Sequence, residues 1–203
     1  MFVLTVDQKG SRRHGDAVPG LLDAVAAWGG RQGSDPFVLP LERTVGDEVQ
    51  GLLADPRAVV ELALLLQRIG GWSVGIGAGP VEEPLAGSAP ESAGQAFVLA
   101  RSAVERARGR SVSVPLAVDG ADPEAAEEAE ALLQLLAAVV RRRTEAGWEV
   151  VDLMAEVATQ REAAERLGVS AQAVSQRLDT ALWHEEQRLH PLAARLLREA
   201  EAG

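Results

Sequence analysis

Cysteine and tyrosine are absent from this chain, and three Phe with four Trp make up its whole aromatic complement. Without cysteine there are no disulfides and no thiolate metal site, a composition that suits a reducing compartment. With so few rings, the core has to be assembled from Leu, Val and Ala. Only three histidines are present, His14, His184 and His190, too scattered for a His-rich metal centre. Long apolar runs are missing too. The longest, around residues 131–140, is interrupted by Gln134 and falls far short of the roughly 20 residues that span a bilayer. No basic segment precedes the first apolar run, so neither a signal peptide nor a membrane partner is expected, and the cytoplasm is the expected location. Positive charge is in deficit: 20 Lys and Arg face 30 Asp and Glu, which argues against broad, nonspecific nucleic-acid binding. The acid excess lies mainly in residues 1–140.

What is present is a globular composition, 47% hydrophobic over 203 residues, enough for one medium domain or two small ones. Phe2 to Val6 is an apolar run closed by Asp7. Lys9, Gly10, Ser11, Arg12 and Arg13 follow, a basic loop with exposed amides that could hold phosphate or could be a solvated turn. Pro19 opens a helix to about Trp28, stopped by Gly29-Gly30. Residues 36–53 read as a β-hairpin turning at Val45-Gly46-Asp47, with Asp47 and Glu48 at its tip. If the first strand lies beside this hairpin, Asp7 and Asp47 are close enough to share a metal ion.

Asp55-Pro56 caps a helix through Ile69, which Gly70-Gly71 ends. Trp72 to Gly79 alternates like a strand, with glycines where a neighbouring backbone or a ligand comes close. An exposed loop over residues 80–91, a helix from Ser92 to Arg108 and a strand from Ser111 to Val118 complete the pattern. The order β-α-β-β-α-β-α-β begins as a split βαβ unit. It predicts an α+β, ferredoxin-like domain over residues 1–120, its helices on one face of a mainly antiparallel sheet.

From Asp122 the character changes. An acidic, Ala-rich start leads into Leu132, Leu133, Leu135, Leu136, Val139 and Val140, an amphipathic helix that ends in Arg141-Arg142-Arg143. Residues 121–145 are therefore expected to connect domains or to form the seam of a homodimer. The three arginines suit the negative pole of the helix and could also touch DNA phosphates. Residues 146–203 predict an all-α domain with a helix-turn-helix. Thr159 with Glu162 makes a capping box, Ala164 is small where two helices meet, Gly168 permits the turn, and Ser170 caps the second helix. Val174 and Leu178 point inward. Ser170, Ala171, Gln172, Ser175, Gln176 and Arg177 are left to read base edges, with Thr159, Gln160 and Arg161 at phosphates.

This pattern resembles the helix-turn-helix of bacterial transcription regulators and of the promoter-reading domain of sigma factors. Asp7, the Gly46-Asp47-Glu48 tip and the Ser73–Gly79 strand resemble the nucleotide-cyclase superfamily, including class III adenylate cyclases and GGDEF diguanylate cyclases. Joined to a C-terminal helix-turn-helix, they are similar to the SatD family. The resemblance implies divalent cations, Mg²⁺ by the hardness of the ligands, on Asp7 and Asp47 with Glu48 as a third ligand. It also implies a nucleotide held by Lys9, Gly10, Ser11, Arg12 and Arg101. Two departures bear on turnover: Val45 replaces the first glycine of the GGDEF tip, and Phe97 stands where cyclases carry an Asn four residues before the Arg. The expected function is thus a sequence-specific DNA-binding transcription regulator with a degenerate cyclase-like domain that dimerises or senses a nucleotide. The alternative is a metal-dependent nucleotide cyclase or nucleotidyltransferase with an accessory helical domain.

Overall fold

The continuous apolar run of the first strand and the two Gly-stopped helices produce an α+β architecture around a five-stranded sheet. A computed structural model describes residues 1–109 and 112–202, without the side chains of Arg12 and His14. The strands are β1 (Phe2–Gln8), β2 (Phe37–Arg43), β3 (Glu48–Leu53), β4 (Trp72–Ala78) and β5 (Leu116–Gly120), in the order β2-β3-β1-β4-β5. β1 lies antiparallel between β3 and β4, β2 is antiparallel to β3, and only β5 pairs in parallel, with β4. Ser111, expected to open the last strand, lies outside the described residues.

Both faces of the sheet are covered, so helices are not confined to one face as the strand order had predicted. Every residue of β1 and β4 is buried, the mark of central strands sandwiched by helices rather than half-exposed ones. On one face Phe2, Leu4, Val6, Val74, Ile76 and Leu116 pack with α2 (Val18–Gly29), α3 (Pro56–Ile69), α5 (Pro123–Arg142) and α9 (Trp183–Glu201). On the other face α4 (Gln95–Ala107) covers β4, β5 and β1. A single helical turn, α1 (Ser11–His14), stands where the sequence suggested only a loop.

Gly75 and Gly77 explain how α4 sits so close. A Cβ on Gly75 would collide with the backbone of Ala100 and Val104, and one on Gly77 with the backbone of Ala96 and Ala100. The glycines of this strand thus admit a neighbouring backbone. Phe97, half a turn away, is buried with Val3, Leu39 and Leu52 as a packing residue.

The Pro123-led helix α5, capped by Asp122, turns its apolar stripe into the chain's own core: Leu133, Leu136 and Val140 are buried against the sheet, α3 and α9, while Leu135 stays 59% exposed. α9 returns from the helical region to the same core through Ala193, Leu196, Leu197 and Ala200. Between them α6 (Glu145–Met154), α7 (Gln160–Leu167) and α8 (Ala171–Thr180) close a second, smaller core of Val150, Val157, Ala163, Ala164, Val174 and Leu178. Among the described residues no helix is long and apolar enough to cross a membrane.

Candidate functional site

Two places carry the residues singled out by the sequence. The first is the end of β1. Alternation along the strand puts Thr5 and Asp7 on the α4 face, and the ladder sets Asp7 opposite Glu48 on β3 and Ser73 on β4. Asp7 and Glu48 are 9% and 8% exposed. Asp47 sits in the turn between β2 and β3, held there by a hydrogen bond from the Gln8 N–H to its carbonyl. Two carboxylates this buried need compensation, and α4 with its C-cap supplies it. Arg108 donates to Asp7 and lies 3.5 Å from Glu48, while Arg101 lies 3.4 Å from the other Glu48 oxygen. Thr44 Oγ1 donates to Glu48 as well, at 2.9 Å.

Burial pushes the Asp7 carboxyl above its ordinary range, the Arg108 hydrogen bond and charge pull against that, and the charges of Asp47 and Glu48 add to the rise. The three acidic residues therefore do converge. They converge around guanidinium groups. A cation shared by Asp7 and Glu48 would have to displace Arg108, so this donor set as folded does not fit Mg²⁺. Among the described residues no group of three or more His, Cys, Asp or Glu side chains is arranged to hold a metal ion.

Arg108 is the residue that sequence reading missed. It is two helical turns beyond Arg101, on the same side of α4, a spacing that pairs them over one patch of sheet once α4 is known to cover β1. The residues expected to hold a nucleotide separate. Arg101 is on the α4 face, whereas Lys9 follows the end of β1, its backbone N–H donating to the Gly71 carbonyl, and feels the charge of Arg141 of α5. Gly10 takes the left-handed conformation at φ 72° and Ser11 opens α1; the Arg12 side chain lies outside the described residues.

The second place is the α7–α8 pair. Thr159 accepts from the Glu162 N–H and Ser170 from the Ala173 N–H, so both helices start on the caps expected of them. Gly168 turns the chain at φ 64°, a conformation that disfavours a side chain. Ala171, Gln172 and Gln176 are exposed and Ser175 is half-buried. Among the described residues neither the Gln172 nor the Gln176 side-chain amide has an intramolecular partner. The arginines are different. Arg177 donates to Glu149 of α6 at 2.8 Å, Arg161 to Glu165, and Arg166 to Glu162 and Glu156. Gln160 is half-buried in the first turn of α7.

One joint ties this unit to the sheet. Trp148 of α6 is sandwiched between the guanidinium groups of Arg68 and Arg143, at 3.8 and 4.3 Å from the ring centroid. Arg68 also grips Asp152 with both terminal nitrogens, at 2.5 and 2.6 Å. Arg143 donates twice to the Ala181 carbonyl at the end of α8 and once to Glu186 of α9.

No protein-family model, curated protein or solved structure matches this chain.

Proposed function

We propose that the chain is a DNA-binding transcription regulator whose reading head is the α6–α8 unit. The observation that carries this reading is the α7–α8 pair: two capped helices around a left-handed Gly168, with their own core and with Gln172 and Gln176 exposed and uncommitted on the outer face. Short polar side chains at the start of a second helix match the donor and acceptor edges of a major groove. The role would place the chain in the cytoplasm with the DNA. Two copies on one operator would double the contact, and Leu135, outside the core of its own chain, is on a face available for pairing.

The electrostatics set the terms. Residues 145–182 hold seven carboxylates and three arginines, and each of those arginines is paired within the chain. Phosphate attraction is therefore weak, and discrimination rests on base-edge contacts. A mobility-shift and footprinting screen of genomic fragments tests the proposal. Gln172→Ala and Gln176→Ala should each lower specific affinity by about tenfold or more, the worth of one good base contact. Specific binding that survives both changes would rule the reading out.

In this reading the sheet is the ferredoxin-like, cyclase-related sensing domain that the SatD resemblance implies. Its support is the all-antiparallel order β2-β3-β1-β4, with β5 added at the edge after α4. The enzyme reading needs Asp7 and Glu48 bare, whereas Arg108 and Arg101 hold them. Absence of cyclic or dinucleotide product from any of the four nucleoside triphosphates with Mg²⁺ or Mn²⁺ is the expected outcome.

A further inference from the structure

Some of the charges on α5 are used by its own chain and some are not. Glu130 accepts from Arg106 of α4, and Arg141 donates to the Gln67 side-chain oxygen at 3.2 Å. Glu128 and Arg142 are exposed, and among the described residues neither forms an ion pair. Between them lie Ala131, Leu135 and Val139, at a spacing that keeps to one face of a helix. Ala131 and Leu135 are exposed and Val139 is half-buried. All three stand outside the core that takes Leu133, Leu136 and Val140 from the same helix.

The order along this line is self-complementary. Leu135 is its midpoint, with Ala131 and Val139 four residues to either side, and Glu128 and Arg142 seven to either side. At 1.5 Å per residue the two charges stand about 10 Å from the centre in opposite directions. At 100° per residue, the other four positions fall within about 40° of the Leu135 direction. A reversed copy of this helix therefore sets Leu135 on Leu135, small Ala131 on larger Val139, and acid on base at both ends.

We infer that the outer face of α5 is a homodimer seam, in which two copies pack antiparallel about a two-fold axis beside Leu135 and Glu128 of each meets Arg142 of the other. An isologous contact requires this of a surface, that residue i meets j while j meets i. A foreign helix would need the same charges in reverse order, whereas a second copy already carries them. The small side chain of Ala131 lets the two axes come within the usual 8–10 Å of packed helices. One helix pair is a small interface, so a dissociation constant on the order of micromolar is expected. The seam deepens the pairing invoked for the DNA-binding reading and rests on that reading only for its purpose.

Sedimentation equilibrium of the full chain, without DNA, tests it. The native chain should pass from monomer to dimer as its concentration rises. Glu128→Arg alone and Arg142→Glu alone should each weaken the dimer by at least about tenfold, because the two-fold axis turns both cross-pairs into repulsions. An equimolar mixture of the two variants should recover the native affinity to within about threefold, since one chain then presents only arginines and the other only glutamates. That recovery also shows that neither variant is misfolded. Leu135→Glu, which sets two carboxylates against each other at the axis, should leave a folded monomer by circular dichroism. A native chain that stays monomeric at high micromolar concentration, single variants that pair as tightly as the native chain, or a mixture that does not recover would each overturn the seam. A dimer that binds no operator refutes the DNA-binding reading and leaves the seam standing, and an operator-binding monomer does the reverse.

Discussion

The Arg143 guanidinium and the Glu186 carboxylate form an ion pair closed off from water, their side chains 1% and 7% exposed. Removal of either partner strands the other charge in a low-dielectric site. Arg143→Met and Glu186→Gln are each expected to cost about 3–5 kcal/mol in urea unfolding. Arg143→Met with Glu186→Leu should cost less than the sum, and the difference measures the coupling.

Acid should attack the same pair. Burial pushes the Glu186 carboxyl up, but the hydrogen bonds from His190 and Arg143 outweigh it and the net displacement is below the ordinary 4.5. A carboxyl depressed in the folded state stabilises it above its unfolded pKa, and that contribution is lost as pH falls through the folded value. The stability advantage of the native chain over Glu186→Gln is therefore expected to be full at neutral pH, to shrink below about 4.5, and to vanish in stronger acid. Unfolding curves across that range, with both proteins side by side, measure it.

Substitution of Gly77 by Ala should be among the most damaging single-methyl changes in the sheet. The new Cβ meets the Ala96 carbonyl oxygen and the Ala100 nitrogen, backbone atoms of α4 that cannot rotate away. A loss of about 3 kcal/mol is expected, at the upper end for overpacking. Ala at Gly46, exposed with open space around it, should cost less than Gly77→Ala, leaving only the penalty of its positive φ.

Ser73 offers the opposite sign. Its hydroxyl is fully buried on β4 opposite Asp7 and has no hydrogen-bond partner. Ser73→Ala removes an unsatisfied polar group at little loss of volume. The thermal midpoint should rise, by the equivalent of about 1 kcal/mol.

Glu149 holds Arg177 at 2.8 Å and adds a negative charge near the second helix of the α7–α8 pair. On the DNA-binding reading, Glu149→Gln frees the arginine for phosphate. Tighter operator binding by about three- to tenfold, with a steeper salt dependence, is expected in a titration at several salt concentrations.

Much of the local structure could be read from residue order. Asp55, Asp122, Thr159 and Ser170 each cap a helix, because a short side-chain oxygen at that position satisfies the first free N–H groups regardless of what the helix later touches. The Gly46-Asp47 turn was legible for a similar reason, being set by neighbours in the chain. What could not be read was long-range. The mainly apolar run that opens β1, Phe2 to Val6, was compatible with one covered face or two, and only α4 on the far side decides it. Gly75 and Gly77 signalled a close approach without saying whether it was backbone or ligand. Arg108 is 101 residues from Asp7, and nothing local marks it as the partner. The stripe on α5 was apolar enough for a dimer seam, yet α9, from the end of the chain, covers much of it.

That return of α9 changes how the helical head can behave. The head is carried at both ends, by α5 on the way out and α9 on the way back, each embedded in the same core, with Trp148 clasped between two guanidinium groups at the root. A head on one linker would swivel like a flag. A head on two rigid struts is a bracket, and it can tilt only if a strut slides against the sheet. Any signal it passes on must therefore be small in amplitude and mechanical, a shear of packed helices rather than a change of tether.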